Sequence, residues 1–189
     1  MSVPFGVRMT AWRPSASSLR AAFIAAAVAW ALLLIAAPFA ASRPHLSSLA
    51  SALTIGVYGI GSLVCHQLAE RSYHLWGAQM PVCARCTGIY FGALLGIVGA
   101  LAFQIPGARG SPLDGARGRQ PSGGRSPERL ALHRARIALA LAVAPTLITL
   151  IYEWTTGVMP SHAIRAAAGV PIGAAVAWLV VAAADNQVN

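Results

Sequence analysis

The run AAFIAAAVAWALLLIAAPFAA, residues 21–41, contains no Asp, Glu, Lys or Arg. At about 1.5 Å per helical residue it is long enough to cross the hydrocarbon of a bilayer. Four more uncharged runs follow it, over residues 46–64, 86–105, 137–152 and 166–184. The fourth is short, and it spans only if Glu153 sits at the interface or is tolerated within a bundle. Hydrophobic residues make up 57% of the 189 and charged residues 10%, a balance that one soluble core of this size does not accommodate. The chain therefore reads as an all-α, polytopic transmembrane helical bundle of about five helices. Its expected segments are a basic N-terminal stretch (1–20), helices one to three (21–105) enclosing a Cys/His loop (65–86), an Arg/Gly/Pro-rich disordered loop (106–136), and helices four and five (137–184).

The formal net charge is +9, and all fourteen basic side chains are arginine. Together with the abundance of alanine, this reads as the mark of a GC-rich bacterial genome, not of nucleic-acid binding, and the expected location is a bacterial inner membrane. The lipid surface is the expected partner of the arginine-rich loop. Arg8, Arg13 and Arg20 precede a run longer than a signal-peptide core with no small-x-small site after it, so the first helix is expected to stay attached. With five crossings, six arginines fall on one side and eight on the other, which leaves the orientation open. Parity still puts the 65–85 loop and the 153–165 loop on one face.

Gly88, Gly92 and Gly96 recur at every fourth position, as do Gly169 and Gly173. Such ridges let helix backbones approach closely. If these two helices pack together, Cys86 and Arg165 meet at neighbouring helix N-termini, a setting that favours anions and thiolates. The same ridges could instead pair two copies of the chain.

All three cysteines fall in CHQLAERSYHLWGAQMPVCARCTG, residues 65–88. Cys83 and Cys86 form a Cys-x-x-C step beside Arg85 at the head of a helix, and Cys65 can return to them because the intervening loop stays on one face. Three cysteines and a histidine suffice for tetrahedral zinc or another soft divalent ion. His66 reaches the same ion only if its helix has ended, whereas His74 or His162 would reach more easily. Glu153 is a possible oxygen ligand or a support for one. Two other readings stay open: thiol-disulfide exchange by Cys83 and Cys86 with Cys65 as a third thiol, and a scaffold whose cysteines only pack. Arg71 either makes an exposed pair with Glu70 or holds an anion near the site.

The segments CHQ, ERSY and PVCARCTGIYFG resemble the domain of unknown function 2085 family, a group of prokaryotic integral membrane proteins. The likeness is specific over residues 65–92 and looser at Glu153 and SHAIRAAAGVPIG (161–173). This chain departs from the family pattern at Ala69 and His162, where proline and asparagine are usual. The resemblance implies a site at Cys65, His66, Gln67, Arg71, Ser72, Cys83, Arg85, Cys86, Thr87 and Gly88, with Glu153 and Arg165 beside it. It implies no reaction.

Overall fold

The computed structural model describes residues 15–104 and 127–185. Five α-helices appear in it: α1 Ala16–Ala41, α2 Ser48–Val64, α3 Ala84–Gln104, α4 Pro127–Thr156 and α5 His162–Asp185. Ser15 and Ser47 begin the first two helices, their hydroxyls accepting from the N–H groups of Ser18 and Ala50, the usual way to satisfy an orphan amide. Four helices are long and apolar enough to cross a membrane, and α2 is the shorter exception. Between α2 and α3 lie a single 3-10 turn, Ala69–Arg71, and an antiparallel hairpin of β1 Ser72–Leu75 and β2 Ala78–Cys83. Trp76 and Gly77 both have positive φ, as a two-residue turn matched to strand twist requires.

The core of the bundle is the parallel pair α3 and α5. A methyl group added to Gly88, Gly92 or Gly96 would overlap the backbone of Ala166, Val170 or Ala174, and one added to Gly169 or Gly173 would overlap that of Arg85 or Ile89. The two glycine ridges thus face each other at constant register within one chain, and neither is left free to pair with a second copy. Helix α4 packs on α5, tied by a 2.7 Å hydrogen bond from the Thr146 hydroxyl to the Ala168 carbonyl, and most of its apolar side chains face outward, as lipid contact allows. It begins at Pro127, so residues 127–136 are helical and not part of a disordered loop. The remainder of that loop, from 106 to 126, and the basic stretch up to residue 14 lie outside the described residues.

Helix α1 runs antiparallel to α3 and α5. Phe23, Ile24 and Ala27 pack against Ile97, Ala100, Ala177 and Val181. Further along α1, Trp30 meets Tyr90 edge-on with centroids 5.9 Å apart, and Leu34 meets Met80 and Val82, just before α3 begins. If α2 crossed the bilayer, α1 and α3 would instead run parallel. Helix α2 therefore stays on the side where α1 ends, beside the C-terminal half of α1, with Leu33, Ala37 and Ala40 across a groove from Ala50, Leu53 and Val57. Among the described residues this arrangement fits four crossings, by α1, α3, α4 and α5. This changes the arginine balance: ten of the fourteen precede α1, lie near its start (Arg20) or fall in and around the connection from α3 to α4, while Arg43, Arg71, Arg85 and Arg165 belong to the opposite end.

Candidate metal centre

The helix heads, the end of α2 and the hairpin meet at that opposite end. Helix α2 stops at Val64, and Cys65 is already extended, with φ −149° and ψ 138°, so its sulfur leaves the helix and turns toward the hairpin. Gln67 fixes this exit. It sits at φ 48°, and its side-chain amide donates to the carbonyls of Tyr58 (2.8 Å) and Pro81 (2.6 Å). Gln79 donates in return to the Gln67 carbonyl at 2.6 Å. Tyr58 also donates its hydroxyl to the Gln79 carbonyl. Gly61 leaves room for the Pro81 carbonyl and the Gln67 amide, since any Cβ there would strike both. These contacts set β2 against α2 and so bring Cys83 to Cys65.

The result is a triangle: the sulfurs of Cys65, Cys83 and Cys86 all lie within 4.8 Å of one another, and none is disulfide-bonded. The Cys83 backbone N–H donates to the Cys65 sulfur at 3.2 Å. The Cys-x-x-C pair is not on one helical turn, as its spacing suggests. Cys83 closes β2, and Cys86 lies in the first turn of α3. The Cys83 thiol is held down to about 5, chiefly by the hydrogen bond from the Cys86 thiol. Burial opposes this, and the backbone N–H groups of Cys86 and Arg85 and the Cys65 thiol assist it. These contacts favour the Cys83 thiolate, the form that binds metal or attacks disulfides.

The triangle opens on a cavity of about 350 Å³ lined by Cys65, His66, Gln67, Arg71, Cys83, Arg85, Cys86 and Arg165, among others. His66 borders the cavity but stands outside the 4.8 Å sulfur group. His74 is exposed on β1. His162 is engaged elsewhere, its Nε2 3.1 Å from the Glu70 carbonyl and its ring 5.4 Å from that of Tyr73. Glu153 is also engaged: Arg85 Nη2 lies 2.9 Å from one carboxylate oxygen and Arg165 Nε 3.1 Å from the same oxygen, so its charge serves the two arginines and it is not free to ligate. Arg71 turns into the cavity instead of lying out beside Glu70. Trp76 and Trp154, both largely exposed, flank this end as interfacial side chains do.

The hairpin, the Gln67 clamp and the cavity-facing Arg71 escape a reading of composition. The signal that could have found the hairpin is Gly77 between two short runs, SYHL and AQMPVC, although Pro81 in the second argues against a strand.

Residues 65–113 match the family model described as a predicted membrane protein, domain of unknown function 2085, the family that the CHQ and CARC segments resemble. An uncharacterized protein of Methanocaldococcus jannaschii is 40% identical over 67 residues, which are 35% of this chain and 43% of that one. An uncharacterized protein of Methanothermobacter thermautotrophicus is 46% identical over 43 residues, which are 23% of this chain and 37% of that one. The chain spans less than half the length of these relatives. No solved structure matches. Both relatives are archaeal, so an arginine- and alanine-rich composition does not single out a bacterial inner membrane, and the placement is that of a membrane protein with several apolar helices.

Proposed function

We propose that this membrane protein holds one soft divalent metal ion, zinc being the simplest fit, on Cys65, Cys83 and Cys86, at the membrane face away from the cytoplasm. The observation that carries the reading is the sulfur triangle itself. Zinc–sulfur bonds of about 2.3 Å put tetrahedral sulfurs about 3.8 Å apart, so three thiols already within 4.8 Å need only a small contraction. A fourth position faces the cavity, where His66 is the nearest family-implied donor. A metal would supply a fixed positive charge and an electrophilic centre there, while the chain's own Gln67 clamp and the Cys83 amide hold the sulfurs in place.

Protein purified in detergent without chelators is expected to carry about one metal ion per chain by elemental analysis, and Cys83→Ser to carry less than a tenth of that. Wild-type protein that emerges metal-free, and takes up none when zinc is supplied, would sink the reading.

The orientation follows from ten arginines against four: positive side chains near helix ends collect on the cytoplasmic side. In intact cells a cysteine placed at Ser42, at the end of α1, is expected to react with a membrane-impermeant maleimide, and one at Ser17, at its start, only after lysis. The reverse pattern would overturn the assignment.

That orientation also favours a second reading, thiol exchange, because disulfides persist outside the reducing cytoplasm. Cys83 thiolate would attack a partner disulfide and Cys86 would resolve the mixed disulfide, leaving the partner reduced and the Cys83–Cys86 pair oxidised. Metal-free protein with that disulfide after isolation would select this reading over the first.

A further inference from the structure

We propose that the cavity is also a binding site for a phosphate-type oxyanion, held by Arg71, Arg85 and Arg165. Three arginines line it and no acidic residue does. Arg165 is 1% exposed, yet its Nη1 has no hydrogen-bond partner, and its Nε lies near Glu153 without the alignment of a hydrogen bond. The buried Nε atoms of Arg71 and Arg85 are unpartnered as well. Buried guanidinium N–H groups are costly to leave unpaired, and three guanidinium side chains lining one cavity match an acceptor with several oxygens.

Charge points the same way. Glu153 offsets one of the three guanidinium groups and a Cys83 thiolate a second, which leaves one positive charge facing the cavity without a metal. A divalent ion on three thiolates would bring one negative charge, still one short of balance. The N-termini of α3 and α5 abut at the same end, side by side, and add their own preference for an anion. The site rests on the arginines and holds whether or not the sulfurs carry a metal.

Both a free phosphate ion and a lipid headgroup phosphate offer this chemistry, and the site lies beside the first turns of α3 and α5. The test uses full-length protein in non-ionic detergent, stripped of lipid and of metal, and titrated by calorimetry with inorganic phosphate and separately with dihexanoyl phosphatidic acid. Saturable binding of at least one probe is expected. Tighter binding of phosphate identifies a soluble anion, and tighter binding of phosphatidic acid identifies a headgroup. Arg71→Gln, which leaves the Glu153 ion pairs intact, is expected to weaken binding about tenfold or more. Arg165→Gln should do the same in whatever fraction folds. No saturable binding of either probe below about 10 mM, or undiminished binding in Arg71→Gln, overturns the proposal. Binding that appears only after zinc is restored overturns it too, because the anion would then sit on the metal. Binding by stripped protein that takes up no zinc keeps the anion site and removes the metal reading alone.

Discussion

Gly92→Leu is expected to unfold the bundle or to destabilise it by about 3 kcal/mol or more, the upper range for overpacking. The reason is that Gly92 meets backbone, not a yielding side chain. Its missing Cβ would fall on the carbonyl of Val170, and α5 cannot move aside locally, because Gly88 and Gly96 fix the same approach one turn above and one turn below. The two helices must part by roughly an ångström along their length. Parting them also moves Cys86 relative to Arg165, so the metal content and anion affinity of any folded fraction should fall along with stability. Gly59→Ala is the control: nothing lies within 4 Å of its Cβ direction, and its expected effect is within about 0.5 kcal/mol. Both can be read by thermal unfolding of detergent-solubilised protein followed by size-exclusion chromatography. Equal melting of the two variants would show that the α3–α5 seam is not the structural axis described here.

Glu153→Ala is the second large effect, with an expected loss of about 3–5 kcal/mol. The side chains of Glu153, Arg85 and Arg165 are 7%, 14% and 2% exposed, so removing the carboxylate strands two guanidinium groups where water barely reaches. Glu153→Gln keeps an acceptor for Arg85 and should lose less. The pair also joins α3, α4 and α5 at one point, with Arg85 reaching Thr149 as well at 3.2 Å. Measured unfolding of Glu153→Ala close to wild type would mean that the triad is solvated in the membrane and carries little. The two variants probe different things: the glycine seam sets how closely the helices pack, and the ion cluster sets how their heads are arranged.

The helices were legible in the chain because an uncharged run of twenty residues has few other uses. What run length could not convey was direction. Residues 46–64 are apolar enough to resemble a crossing, and it takes the run of contacts from Phe23 on Ile97 through Trp30 on Tyr90 to Leu34 on Met80 to show that α2 does not make one. Glycine and serine dominate up to residue 126 and hide the start of α4 at Pro127. Yet Pro at a first helical position followed by ERLALHRARIALAL is a helix start in its own right. The sulfur triangle was foreseeable because the chain has just three thiols, two of them already adjacent. The cavity was less so: Arg71 looks like half of a surface pair with Glu70, and nothing local shows that the turn Ala69–Arg71 aims it inward. Gln67 is still harder to foresee, since its role depends on a left-handed backbone and on carbonyls 9 and 14 residues away.

The shorter α2, 17 residues against 21 to 30 in the other helices, gives the molecule unequal girth. At the end where α1 starts it presents four helices, and at the other end α2 and the hairpin widen the same bundle. Such a wedge displaces more lipid from one monolayer than from the other, so the protein should gather where the bilayer is convex on the side of α2 and the hairpin, which gives more room to that broader end.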